Sequence, residues 1–348
     1  MLTTLHQLYF KNSQNIKEVS DESVDLVVTS GPYPMIKMWD QLFCNQNPEI
    51  GEVLEKGRGF EAFELMHKEL DLVWNEIFRV LKSGGLACIN IGDATRRINN
   101  EFNLYPSHSR VLNHCMKIGF NCLPSIIWSK QTNAPTKFMG SGMMPPGAYI
   151  TLEHEHIIVL RKGGKREFKT VSERQTRTKS AYFWEERNIW FSNVWELMGK
   201  HQSLKNSNVR KRSAAFPFEL AYRLINMFSV KGDVVFDPFL GTGTTILAAM
   251  ASMRNSIGIE IDENFREIIL KEITEIIEFA NKYNKDRIGK HRSFMKKYKE
   301  KHGDPKYTNE FYNTPVKTKQ ETEIVLNILE KIDQIENNLF QITYVAFQ

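Results

Sequence analysis

Asp237-Pro238-Phe239-Leu240-Gly241-Thr242-Gly243-Thr244-Thr245 follows the β-branched run Val234 to Asp237 and opens an apolar stretch that reaches Met253. The pattern predicts a strand, a glycine turn and a helix. Such turns lie at the carboxyl edge of parallel sheets, where α/β folds bind nucleotide-like ligands. A dinucleotide site requires a further glycine, G-x-G-x-x-G, and Ile246 occupies that position. Nineteen residues after Gly241, the next strand, Ser256 to Ile261, carries Glu260, placed to accept hydrogen bonds from ribose hydroxyls. An adenosine ligand without a pyrophosphate satisfies both facts. A plain tight turn beside a solvated carboxylate is the alternative.

Outward from this stretch, strand-like and helix-like segments alternate over residues 1–162 and 216–275, the pattern of an α/β fold with a mainly parallel central sheet. Val24 to Ser30 reads as a buried strand halted by Gly31-Pro32. Glu61 to Lys82 places Phe63, Leu70, Val73, Trp74, Ile77, Phe78 and Leu81 on one helical face. Leu86 to Ile91, Ser125 to Trp128 and His156 to Leu160 are further strands, and Ser109 to Ile118 and Pro217 to Phe228 are helices. The helix after Asp262 is expected to end near Tyr283, and a last helix is expected over Gln320 to Leu339, with Ile324, Ile328, Ile332, Ile335 and Leu339 on one face. Four parts follow: 1–162 and 216–283 as two halves of one domain, 163–215 as an insertion, and 284–348 as a basic stretch with a C-terminal helix.

Composition narrows the function classes. Hydrophobic residues are 41% and charged residues 25% of the 348, as in folded globular chains. No run of 18 apolar residues suggests a membrane span, and Met1 to His6 does not open a secretory signal, so a cytoplasmic protein is expected. Cys44, Cys88, Cys115 and Cys122 form no C-x-x-C pair, and neither a disulfide framework nor a metal site is expected. From Arg161 to Ala215 there are 14 Lys plus Arg against 5 Glu. That segment carries 14 − 5 = +9, and the rest of the chain 5 − 9 = −4. A concentrated positive charge of this kind fits a polyanion bound at one place, or a solvated basic loop.

Ser30-Gly31-Pro32-Tyr33 closes the Val24 strand at the same sheet edge. Followed later by Asp-Pro-Phe-Leu-Gly-Thr-Gly-Thr-Thr, it resembles the amino-methylating DNA methyltransferases of the β class. In that family a [Ser/Asn/Asp]-Pro-Pro-[Tyr/Phe/Trp] motif precedes the target-recognition region and the cofactor motif comes after it. The resemblance covers roughly residues 7 to 270 and takes in Val80 to Gly85, Trp128-Ser129-Lys130, and Glu155-His156 to Arg161-Lys162. It implies an S-adenosylmethionine (AdoMet)-dependent, Rossmann-like methyltransferase fold with circularly permuted motif order and an inserted target-recognition region. Asn12, Phe216, Pro217, Asp237, Phe239, Gly241, Gly243, Thr244 and Glu260 fall at cofactor-binding positions. Asn12 stands where the family usually has Asp, and Gly31 where it usually has the first Pro.

The serine-led motif resembles cytosine-N4 enzymes; aspartate or asparagine versions are commoner among adenine-N6 enzymes. The implied chemistry is direct transfer to an exocyclic amine of a flipped base in duplex DNA, with Ser30, Gly31, Pro32 and Tyr33 as the catalytic loop and Tyr33 stacked on the base. Methylation at cytosine C5 would need an activated thiolate, and no cysteine here follows a proline. Adenine N6, or a catalytically silent binder of cofactor and nucleic acid, are the alternatives. Lys37, Arg174, Arg177, Arg187, Arg210, Lys211 and Arg212 are the candidate DNA contacts, and Trp39 and Trp128 candidate pocket walls. Among the insertion's aromatics, Tyr182, Phe183, Trp184, Trp190, Phe191 and Trp195, packing is favoured over base stacking. The expected partners are double-stranded DNA and, functionally, a separate restriction endonuclease, with the chain a monomer or homodimer.

Overall fold

A computed structural model of the chain describes residues 2–130, 139–198 and 216–346. Ten strands form its main sheet: β1 (Leu2–Phe10), β2 (Val24–Thr29), β3 (Leu81–Ile91), β4 (Phe120–Ser129), β5 (His154–Lys162), β6 (Val194–Glu196), β7 (Val234–Asp237), β8 (Asn255–Glu260), β9 (Asn327–Glu336) and β10 (Leu339–Ala346). Their order is β6-β4-β5-β3-β2-β7-β8-β1-β10-β9. The five central strands, β3 to β1 in that order, run parallel. Every residue of β2 is buried, as expected where helices cover both faces of a parallel sheet.

The helices are α1 (Asp40–Gln46), α2 (Glu49–Glu55), α3 (Gly59–Val80), α4 (Ser107–Lys117), α5 (Val171–Lys179), α6 (Trp184–Trp190), α7 (Phe218–Phe228), α8 (Thr244–Ala251) and α9 (Arg266–His302). On one face α7, α8 and α9 pack through Leu224, Ala248 and Ile273; on the other, α1 to α4 pack through Phe43, Val73, Trp74 and Val111. No helix among the described residues is long and apolar enough to cross a membrane.

The C-terminal part corrects two expectations. The helix expected to stop near Tyr283 continues to His302, because its buried stripe runs on through Asn284, Arg287, Ile288, His291 and Met295. Polar members of that stripe break the apolar period while remaining buried. Arg287 is held by the Glu186 carboxylate, with Nη2 to Oε2 at 2.7 Å, and donates to the Tyr222 hydroxyl at 3.1 Å. The helix expected over Gln320 to Leu339 is instead the start of the β9-β10 hairpin. Asn338 turns it with φ +62°, a conformation that asparagine tolerates better than most residues. Phe340, Ile342 and Tyr344 then alternate inward, and β10 pairs antiparallel with β1. Closing the open edge of β1 outweighs a helical spacing that local sequence permits equally well. Thr4 joins the two through a hydrogen bond to Tyr344, and His6 ties Thr4 to Ser256 of β8. Burial lowers the His6 pKa to about 3, so it stays neutral there.

The basic insertion is built into the same body. Trp190 and Trp195 join the core beside Tyr222, while Phe183 packs with Val316 and Ile324. β6 extends the sheet alongside β4.

Candidate active site

The carboxyl ends of β1, β2, β7 and β8 surround one cavity, with about 930 Å³ of non-atom space including its solvent-open mouth. Asn12, Ser30, Pro32, Phe216, Asp237, Phe239, Gly241, Thr244 and Glu260 line it, so most of the residues expected to serve catalysis and cofactor binding meet there. Trp39 also lines it. Pro217 is buried at the start of α7. Gly243 has φ +88° and starts α8, a backbone region that favours glycine. At Gly241 no atom lies within 4 Å of where a Cβ would stand, so a ligand can approach the backbone closely. Among the described residues the lining contains three carboxylates, Glu69, Asp237 and Glu260, and no Lys, Arg or His.

Two carboxylates hold the turn. Glu260 accepts from the Gly241 N–H at 2.7 Å and the Asp262 N–H at 2.9 Å. Asp237 is buried and accepts from the Thr29 and Thr245 hydroxyls, each at 2.6 Å, and from the Phe239 N–H at 3.0 Å. Burial pushes its pKa up to about 6, against those three stabilising bonds. Asp237 is therefore an anchor of the loop. Asn12 closes a local turn, its Oδ1 accepting from Gln14 N–H at 2.9 Å; the Gln14 amide reaches Glu69 at 2.8 Å.

Gly31 packs directly under Phe239. A Cβ there would stand 3.1 Å from the ring, closer than carbon atoms pack, and the same ring meets Trp74 edge-on at 5.8 Å. The absence of proline at this position matches the aromatic ring that fills the space.

Tyr33 is buried, outside the cavity lining, and its hydroxyl donates to Glu155 Oε2 at 2.8 Å. Burial first, then the Glu155 carboxylate, hold its pKa well above the ordinary tyrosine value, so it remains a phenol. Asn90, at the end of β3, donates to Glu155 at 2.7 Å and to the Tyr33 oxygen at 2.9 Å, and Lys130 pairs with the other Glu155 oxygen. Ser30 Oγ lies 3.1 Å from the Tyr33 oxygen. Asn90 Oδ1 is buried with no partner among the described residues, a feature that costs about 1–3 kcal/mol.

Thr29, Thr245, Asn90, Lys130 and Glu155 had no assigned role in the sequence reading. Thr245, Lys130 and Glu155 fell within the segments that carry the resemblance, and Asn90 stood out as the one polar side chain inside the apolar run Leu86 to Ile91. Trp128 is core, its indole N–H donating to Leu197 O at 2.8 Å.

Of the candidate DNA contacts, Lys37 is exposed just after the catalytic loop. Arg174 and Arg177 are exposed on α5, which follows the opposite edge of the sheet. Arg166 fixes that path by pairing with Asp233 and Asp25 at the amino ends of β7 and β2, and Ser180 accepts from Lys231 N–H. Charge density marks a solvated segment, but ion pairs decide which edge of the sheet it follows. Arg187 is exposed on α6. Arg210, Lys211 and Arg212 lie outside the described residues. Above the catalytic edge stand two other hairpins, Ala94–Ile98 with Glu101–Tyr105 and Met139–Gly140 with Ala148–Tyr149. They meet through Phe102 stacked on Tyr149 at 4.3 Å.

A family model described as DNA methylase, N6_N4_Mtase, matches residues 24–272, which include both the Ser30 loop and the Gly241 turn. The chain belongs to this DNA methylase family. The methylase is 52% identical over 345 residues to the type II methyltransferase M.MthZI of Methanothermobacter thermautotrophicus, covering 99% of this chain and 96% of that one. With the type II methyltransferase M.MjaI of Methanocaldococcus jannaschii it shares 48% over 283 residues, covering 78% and 92%. Among solved structures, a DNA modification methylase of Thermus thermophilus, TTHA0409, described as putative and complexed with S-adenosyl-L-methionine, superposes with a TM-score of 0.60 at 32% identity, covering 78% of the methylase and 95% of that chain.

Proposed function

We propose that the methylase transfers a methyl group from AdoMet to the exocyclic N4 amine of cytosine in duplex DNA, as the modifying half of a restriction-modification pair. The observation that carries the donor is the cavity's charge: among the described residues three carboxylates and no cationic side chain line it, and it opens onto Ser30. Such a lining disfavours phosphates and favours a ligand bearing a sulfonium and an ammonium. Phe239, Leu240, Ile261 and Val73 would supply apolar walls for an adenine ring, and Glu260 with the open Gly241 backbone would hold the ribose. The bound donor supplies an electrophilic methyl group; the remaining work belongs to the protein.

A cytosine amine is a weak nucleophile because its lone pair is delocalised into the ring. Ser30 Oγ and the Gly31 carbonyl accept its hydrogens and let the nitrogen pyramidalise, while Pro32 fixes the loop. The flipped base costs a few kcal/mol to unstack, and Trp39 offers an aromatic wall at the cavity. Direct transfer needs no covalent enzyme intermediate. The serine at position 30 favours cytosine N4 over adenine N6. Incubation with unmethylated genomic DNA and methyl-labelled AdoMet, followed by nucleoside mass spectrometry, is expected to give N4-methylcytosine. N6-methyladenine would overturn the choice of base, and no labelled nucleoside with cofactor still bound would favour the silent binder.

The duplex lies across the catalytic edge, over the two hairpins, where Lys37 and the exposed Arg97 stand. Arg97→Glu is therefore expected to weaken DNA binding and lower the salt slope by about 1. Arg174→Glu combined with Arg177→Glu is expected to change affinity less at equal ionic strength. Filter binding at several salt concentrations checks the order.

A further inference from the structure

We infer that Glu155 is a positioning residue that sets the direction of the Ser30 hydroxyl through Tyr33. The inference rests on the reading of Ser30 as an acceptor for the target amine. A carboxylate paired with the Lys130 ammonium only accepts hydrogen bonds, so the Tyr33 O–H donates to it, at 2.8 Å. The two Asn90 N–H groups are oriented by the same carboxylate, one to Glu155 at 2.7 Å and one to the Tyr33 oxygen at 2.9 Å. Asn90 reaches Ser30 Oγ only at 3.4 Å. With its own proton committed to Glu155, the Tyr33 oxygen accepts, and Ser30, 3.1 Å away, donates to it. The Ser30 hydrogen is thereby turned from the cavity that this residue lines, and its lone pairs are left for an N–H of the base. Without the relay, the hydroxyl rotates freely, and in some orientations it opposes the amine hydrogen with one of its own.

Two neighbours keep the relay in place. Gly92 lies so close that a Cβ there would stand 2.8 Å from the Tyr33 ring. Lys130 lies over the Trp128 ring at 5.2 Å from its centroid, which holds the ammonium on the outer side of Glu155. The relay therefore joins β2, β3, β4 and β5, which together carry Asn90, Glu155, Lys130 and the catalytic loop.

Glu155→Gln tests the direction. Facing Lys130, the new amide turns its oxygen outward and its NH2 group towards Tyr33; Tyr33 then accepts from it and donates to Ser30, taking the lone pair the substrate needs. Lys130 is 39% exposed and can turn to water, so the fold is expected to survive. The expected result is a kcat lower by about 10- to 100-fold, with the KM for AdoMet and the melting temperature close to those of the parent protein. Tyr33→Phe breaks the same relay and is expected to give a loss of similar size. In the double variant the loss is expected to stay within about threefold of the worse single one, since both act on one oxygen. A Glu155→Gln kcat within about twofold of the parent, losses that multiply in the double variant, or a loss confined to KM would each overturn the relay. Ser30→Ala measured alongside separates the two readings. If Ser30→Ala abolishes turnover while both relay variants work normally, only the relay fails; if Ser30→Ala works normally, the acceptor reading fails with it.

Discussion

Ser30→Ala is expected to lower single-turnover methyl transfer by about 100- to 1000-fold, the cost of removing one preorganised hydrogen-bonding group at a reacting centre. Dissociation constants for AdoMet and DNA should stay near those of the parent. Ser30 touches the cavity at its junction with the catalytic loop, whereas the ligand-holding turn depends on Glu260, Asp237, Thr29 and Thr245, none of which the substitution alters. Rapid-quench measurement of labelled DNA, with equilibrium binding of each ligand, separates chemistry from affinity. A turnover loss matched by an equal loss of AdoMet affinity would place Ser30 in cofactor binding instead.

Glu186→Ala is the largest expected effect on stability. Arg287 is 6% exposed and sits among Phe183, Trp190 and Tyr222, with Glu186 as its carboxylate partner. Removing that partner strands a guanidinium where water cannot reach it and also frees the Phe183 N–H, which Glu186 accepts at 2.8 Å. Breaking a buried pair from one side costs about 3–5 kcal/mol. Calorimetric melting should show the loss, and Glu186→Ala combined with Arg287→Met should recover much of it, because the stranded charge is then gone. A melting temperature unchanged in the single variant would mean that Arg287 finds another outlet.

The two expectations differ in how far the sequence announced them. Ser30, Gly31, Asp237, Gly241 and Glu260 were legible because each belongs to a short contiguous pattern at a strand end, and strand ends on one edge of a parallel sheet converge without any long-range choice. Glu186 and Arg287 are 101 positions apart, and a basic residue within a basic run gives no sign that it is buried. Asn90, Lys130 and Glu155 lie on three separate strand ends and meet only when β3, β5 and β4 lie side by side. The C-terminal hairpin shows the opposite failure: its isoleucines fit a helical spacing, and only the open edge of β1 selects the strand.

By itself the sequence determined the α/β fold, the position of the ligand cavity at the carboxyl edge and the family to which the chain belongs, since these follow from local periodicity, glycine turns and motif order. The tertiary structure alone decided which residues hold Tyr33 and Ser30, which edge the α5 arginines occupy, and that a long helix and a hairpin complete the molecule. Those outcomes are set by pairings between distant segments, whose energies depend on burial and geometry that no local stretch of sequence contains.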